Sequence, residues 1–96
     1  MSDEAAAAPI LIEPTIGRVV WYQTNEADSG LHSDQPLAAL VTYVTDARTI
    51  NLVVFDHEGR PNSRIGVMLV HEGDFPPVGP FAEWMPYQKG QAKKNA

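Results

Sequence analysis

The chain contains no cysteine. Disulfides, thiolate metal sites and thiol nucleophiles are therefore excluded, and nothing in the composition asks for an oxidising compartment. No apolar run approaches the roughly 18 residues that a membrane-spanning helix needs. The opening Met1-Ser-Asp-Glu4 is acidic where a signal peptide is basic, so a soluble, intracellular protein is expected, without a membrane association. Catalytic signatures are missing too: there is no P-loop, no dinucleotide fingerprint and no nucleophile elbow. His32, His57 and His71 are the only histidines, and none has the close spacing of a zinc site. They read as solvent-exposed loop residues, with no metal and no cofactor expected. Asp46, Asp56, Glu58, Glu72 and Asp74 fall in turn-like segments, where carboxylates commonly serve the backbone. An enzyme is not expected.

Basic residues are scarce as well: seven Lys and Arg stand against twelve Asp and Glu, for a net charge of −5. The two ends cancel, with Asp3, Glu4 and Glu13 at one and Lys89, Lys93 and Lys94 at the other. The segment 17–87 then holds nine acids against Arg18, Arg48, Arg60 and Arg64. Such a body repels a phosphate backbone at long range, so general nucleic-acid binding is disfavoured. A small anion held by two or three local arginines remains compatible with it, because salt screens distant acids beyond about 8–10 Å.

What is present is strand-forming. Thr49 to Asp56 is short, rich in β-branched residues and apolar on both faces, with Ile50, Leu52 and Val54 on one and Asn51, Val53 and Phe55 on the other. That pattern marks a central strand. Four more strands are expected near residues 17–23, 37–45, 63–71 and 82–86. The polar segment 24–35 is a long loop, and the turns at residues 46–48 and 56–62 make hairpins. Gly66, inside a strand, predicts a bulge. Pro76, Pro77 and Pro80 with Gly73 and Gly79 keep residues 72–80 irregular. The core is expected to contain Val19 or Val20 with Leu40, Val44, Leu52, Val54, Val67 and Leu69. The fold class is all-β: a strongly bent five-stranded barrel over residues 16–87, SH3-like (Src-homology-3-like), with an OB-like barrel as the alternative. Residues 1–15 are expected as a flexible arm and residues 88–96 as a disordered basic tail.

Two sets of residues are candidates for binding. Trp21, Tyr22, Tyr43, Phe55, Trp84 and Tyr87 lie on or beside strands, and adjacent pairs such as Trp21-Tyr22 cannot both face the core. Core and edge packing is the plainer explanation. The functional one is an aromatic pocket built from Trp21, Tyr22, Tyr43, Trp84 and Tyr87, with donors from Arg48, Arg60 and Arg64. That combination suits a base with a phosphate, or a peptide with a proline or carboxylate. The second set, Ile10-Leu11-Ile12, is apolar and packs either on this domain or on a partner. A homo-oligomer is expected through that arm and through open strand edges.

The segments Ile16-Gly-Arg-Val-Val-Trp-Tyr22, Gln35-Pro-Leu-Ala-Ala-Leu-Val41, Ile50-Asn-Leu-Val-Val-Phe-Asp56 and Glu83-Trp-Met-Pro-Tyr-Gln-Lys-Gly-Gln91 resemble, in the same order, a widespread set of small proteins of tailed bacteriophages and prophages. The resemblance implies a phage origin and expression in the host bacterial cytoplasm, and it carries over no catalytic residues. Two functions follow as expectations. One is a counter-defence protein that sequesters a small nucleotide-like signal or caps a host immune protein. The other is a virion or assembly adaptor that works through protein contacts.

Overall fold

In the computed structural model, which describes residues 11–25, 28 and 31–94, strand β3 (Thr49–Phe55) alternates as its sequence demands. Ile50, Leu52 and Val54 are buried, and the residues between them are half-exposed. β2 (Leu37–Asp46) and β4 (Pro61–Val70) flank it antiparallel, β1 (Val19–Gln23) pairs with β2, and the short β5 (Phe81–Glu83) pairs with both β1 and β4. The five strands thus close into a barrel. Closure removes the open edges that the sequence suggested as oligomer contacts, because β1 and β5 pair with each other.

β4 and β5 run parallel, a pairing that no tight turn can make. The proline-rich segment 71–80 supplies the longer return path. The β3–β4 turn is built on Asp56, whose Oδ1 accepts the Glu58 and Arg60 N–H groups at 2.9 and 2.8 Å. Gly59 there takes φ +87°.

Of the three register shifts in the sheet, two set which side chains enter the core. Between Leu52↔Arg64 and Ile50↔Val67, β4 spends one residue more than β3. Gly66 absorbs it at φ +64°, and its N–H bonds Asn51 Oδ1 at 2.9 Å. Val67 and Leu69 are therefore buried while Ile65 stands exposed. The second irregularity, between Val41 and Tyr43, corrects the reading of β2. Leu37, Ala39 and Val41 point inward, Leu40 points outward, and Val44 returns to the inner face to pack against the core. On β1, Val20 is buried and Val19 is exposed.

Residues 88–94, expected as part of a disordered tail, are helical instead. They belong to helix α1 (Pro86–Lys94), which buries no side chain. Its start is well specified. Pro86 occupies the first turn, where no N–H partner exists, and Gln88 Oε1 accepts the Met85 N–H at 2.8 Å in the manner of a capping box. Gln88 Nε2 donates to the Val19 carbonyl at 2.7 Å and fastens α1 to the first strand. At the other terminus, Ile12 packs against the barrel core, Leu11 is partly exposed, and Ile10 lies outside the described residues. Among the described residues no helix is long and apolar enough to cross a membrane.

Candidate functional site

The arginines and aromatics singled out in the sequence do not share one pocket. Arg48 meets Asp74 with two hydrogen bonds, at 3.0 and 3.1 Å. Arg60 pairs with Glu58 at 3.0 Å on the exposed surface. Arg64 meets Asp28 at 2.7 Å beside Tyr22, whose hydroxyl donates to the same carboxylate at 2.6 Å. Burial pushes the Asp28 carboxyl up, but the hydrogen bonds from Arg64 and Tyr22 outweigh it and hold the group below its ordinary range. Each of these three guanidinium groups is thus already matched by a carboxylate. Tyr22 is buried, Trp21 is half-buried, and Tyr43 stands on the outer face of β2.

Histidine placement departs from the expectation at one position. His32 and His57 are exposed and stack with ring centroids 3.7 Å apart. His71 is buried instead, because the chain turns back over the barrel end there. Its Nε2 donates to the Ala47 carbonyl at 2.6 Å, and its Nδ1 has no partner among the described residues. Among the described residues, no three of His, Asp and Glu gather as metal ligands do.

A different arginine meets the aromatics. Gly17, at φ +96°, turns the chain into β1, and its N–H bonds the Val41 carbonyl at 2.9 Å. Val41 N–H bonds the Arg18 carbonyl at 2.9 Å, so the β1–β2 pairing already fixes the backbone at Arg18. Two residues before the buried Val20, Arg18 is in the inward phase of the strand, at its open end. Its guanidinium lies over the ring of Trp84, 5.3 Å from the centroid. Trp84 is 1% exposed. Among the described residues Arg18 has no carboxylate partner, unlike Arg48, Arg60 and Arg64.

A groove of about 390 Å³ opens beside Arg18. Ile12 forms one wall, and Tyr87, Gln88, Gln91 and Ala92 of α1 form the other. Tyr87 is 73% exposed, which leaves its ring free to stack. α1 also carries Lys89, Lys93 and Lys94, none of which lines the groove, and Lys93 meets Glu72 at 2.6 Å. The sequence named Trp84 and Tyr87 among its binding candidates and did not single out Arg18. The available signal was the strand phase shared by Arg18, Val20 and Tyr22.

A larger groove, about 610 Å³, lies at the opposite end of the barrel between the loop after β1 and the β3–β4 turn. Leu37, Ala38 and Phe55 give it an apolar floor, and His32, Asp34 and Asp56 line its rim. Its formal charges are carboxylates and no arginine lines it, so it suits an anion poorly. Comparisons with protein-family models, curated proteins and solved structures give no match. The geometry of these two grooves is therefore the basis for a functional reading.

Proposed function

We propose that the protein binds a small anionic ligand with a planar ring, of the nucleotide type, and releases it chemically unchanged. The site is the groove between Ile12, Arg18 and α1. One observation carries this reading: Arg18 is held over Trp84 beside the exposed Tyr87 and has no carboxylate partner among the described residues. Arginine offers a phosphate two parallel N–H donors, and a tyrosine face accepts a base. A hydrogen bond to a charged group contributes about 1.5–3 kcal/mol and a stacked base about 1–3 kcal/mol. Their sum falls short of the roughly 8 kcal/mol of a micromolar complex, so contacts with Ile12 and the Gln91 side of α1 must supply the rest.

In the bacteriophage setting that the sequence resemblance implies, such binding without catalysis sequesters a host nucleotide signal in the bacterial cytoplasm. Calorimetry with cyclic dinucleotides, cyclic mononucleotides and ADP-ribose derivatives tests it. One member of the panel is expected to bind, Arg18→Ala and Tyr87→Ala to weaken it about 10- to 100-fold, which is the loss of 1.4–3 kcal/mol, and Arg48→Ala and Arg60→Ala to leave it unchanged. If nothing binds while a virion or host protein co-purifies, the adaptor reading replaces this one. That second reading is favoured by a separate feature, the uncharged outer face of the sheet.

A further inference from the structure

The groove beside Arg18 has one charge and one stacking surface. Among the described residues that line it, Arg18 alone carries a formal charge, and Ile12, Tyr87, Gln88, Gln91 and Ala92 are neutral. Gln88 is committed at both ends of its amide, to the Met85 N–H and to the Val19 carbonyl. Tyr87 is the only aromatic residue in the lining, and its ring is exposed. Trp84 offers no second stacking surface, because it is buried and the Arg18 guanidinium lies over its ring. The volume, about 390 Å³, is near the lower end of the roughly 300–1,000 Å³ over which ligand pockets range.

We infer that the ligand of this groove carries one base, one phosphate and a single negative charge, which is the chemistry of a cyclic mononucleotide. The inference rests on the anion-binding reading given above and narrows it. One guanidinium matches one phosphate with two parallel donors, and one tyrosine face stacks one base. A cyclic dinucleotide brings a second phosphate and a second base, and the lining has neither a second cation nor a second aromatic ring for them. An acyclic nucleoside monophosphate has one phosphate but about 1.5–2 negative charges, because its second proton leaves near about pH 6. Attraction to a single guanidinium grows in proportion to the ligand charge, whereas the cost of withdrawing that charge from water grows with its square. A monoanion therefore gains most from one arginine. The surplus charge of a dianion also faces a protein of net charge −5. Three other arginines are occupied, Arg48 by Asp74, Arg60 by Glu58 and Arg64 by Asp28.

Calorimetry on the full chain at physiological ionic strength tests it with three matched sets of ligands. These are the cyclic monophosphates of adenosine, guanosine, cytidine and uridine, the acyclic monophosphates of the same nucleosides, and their cyclic dinucleotides. One cyclic mononucleotide is expected to bind about tenfold tighter than its acyclic counterpart and than any cyclic dinucleotide, a difference of about 1.4 kcal/mol. Gln91→Lys adds a second cation to the lining and is expected to narrow or reverse that preference, with circular dichroism unchanged. Ala92→Lys makes the same test if Gln91→Lys fails to fold. An acyclic monophosphate or a cyclic dinucleotide that binds the wild type as tightly as the cyclic mononucleotide overturns this inference and leaves the anion-binding reading standing. So does a preference that the added lysine leaves unchanged. No binding by any nucleotide of the three sets overturns both.

Discussion

Arg64 on β4 and Asp28 in the loop after β1 are 36 residues apart and meet at 2.7 Å, with side chains only 26% and 11% exposed. The pair pins a polar loop to the barrel wall, and Tyr22 adds a third member from β1. Asp28→Ala leaves a half-buried guanidinium and a buried hydroxyl without their shared acceptor. It should lower stability by about 1–3 kcal/mol. Urea unfolding checks this as a lower midpoint at an unchanged slope.

Tyr22 makes the protein sensitive to alkali. Burial first, and then the Asp28 carboxylate, raise its ionisation from 10.0 to about 12. The folded state therefore keeps this proton at pH values where the unfolded state has lost it. The stabilisation is complete below about pH 10 and falls away as the pH rises through about 12. The urea midpoint of the wild type should decline across that window. Tyr22→Phe, with no proton to lose, should show a shallower decline, and an equal slope in both would disprove the assignment.

Asp74 works in the opposite direction. The Arg48 guanidinium and the His71 N–H hold its carboxyl at about 2, below the usual 3.8. Its contribution to stability is present above pH 3.8 and disappears as the pH falls through about 2. Asp74→Asn should be less stable than wild type at neutral pH. The two midpoints should converge on acidification, because the protonated wild-type side chain no longer holds Arg48. A gap that stays constant down to pH 2 would assign the effect to something other than charge.

The barrel was legible where residue type and phase coincide. Ile50, Leu52 and Val54 alternate strictly, and Gly66 announces a bulge because only glycine adopts φ +64° without cost. Leu40 shows where the reading stops. The β2 irregularity lies around Thr42, needs no glycine, and leaves no mark in composition, so the phase of the neighbouring residues is invisible locally. The site divides in the same way. Arg48, Arg60 and Arg64 are visible as arginines near turns. That Asp74 lies 26 residues from Arg48 and Asp28 lies 36 from Arg64 makes their pairing a product of barrel closure. Helix α1 carried readable start and stop signals in Pro86, Gln88 and Lys93-Lys94, but Gly90 and the lack of an apolar stripe masked them.

Gln88 connects that helix to the proposed site, and its removal separates docking from folding. Its Oε1 accepts the Met85 N–H and its Nε2 donates to the Val19 carbonyl, so one side chain both starts α1 and ties it to β1. α1 buries no residue of its own, and beside Gln88 the Lys93–Glu72 ion pair at 2.6 Å also ties it to the rest of the chain. Two hydrogen bonds at about 0.5–1.5 kcal/mol each come to about 1–3 kcal/mol, a large share for a helix of nine residues. Gln88→Ala should therefore accelerate amide exchange throughout α1 while the β2–β3–β4 amides keep their protection. Because Tyr87 rides on α1, ligand affinity at the Arg18 groove should fall with it. Gln88→Glu keeps the acceptor for Met85 but sets a carboxylate against the Val19 carbonyl, so it should start the helix and fail to dock it. Amide exchange distinguishes the two variants: slower exchange in the first turn of α1 for Gln88→Glu than for Gln88→Ala, with the affinity loss common to both. Unchanged exchange in α1 for Gln88→Ala would show that the helix is held by other contacts.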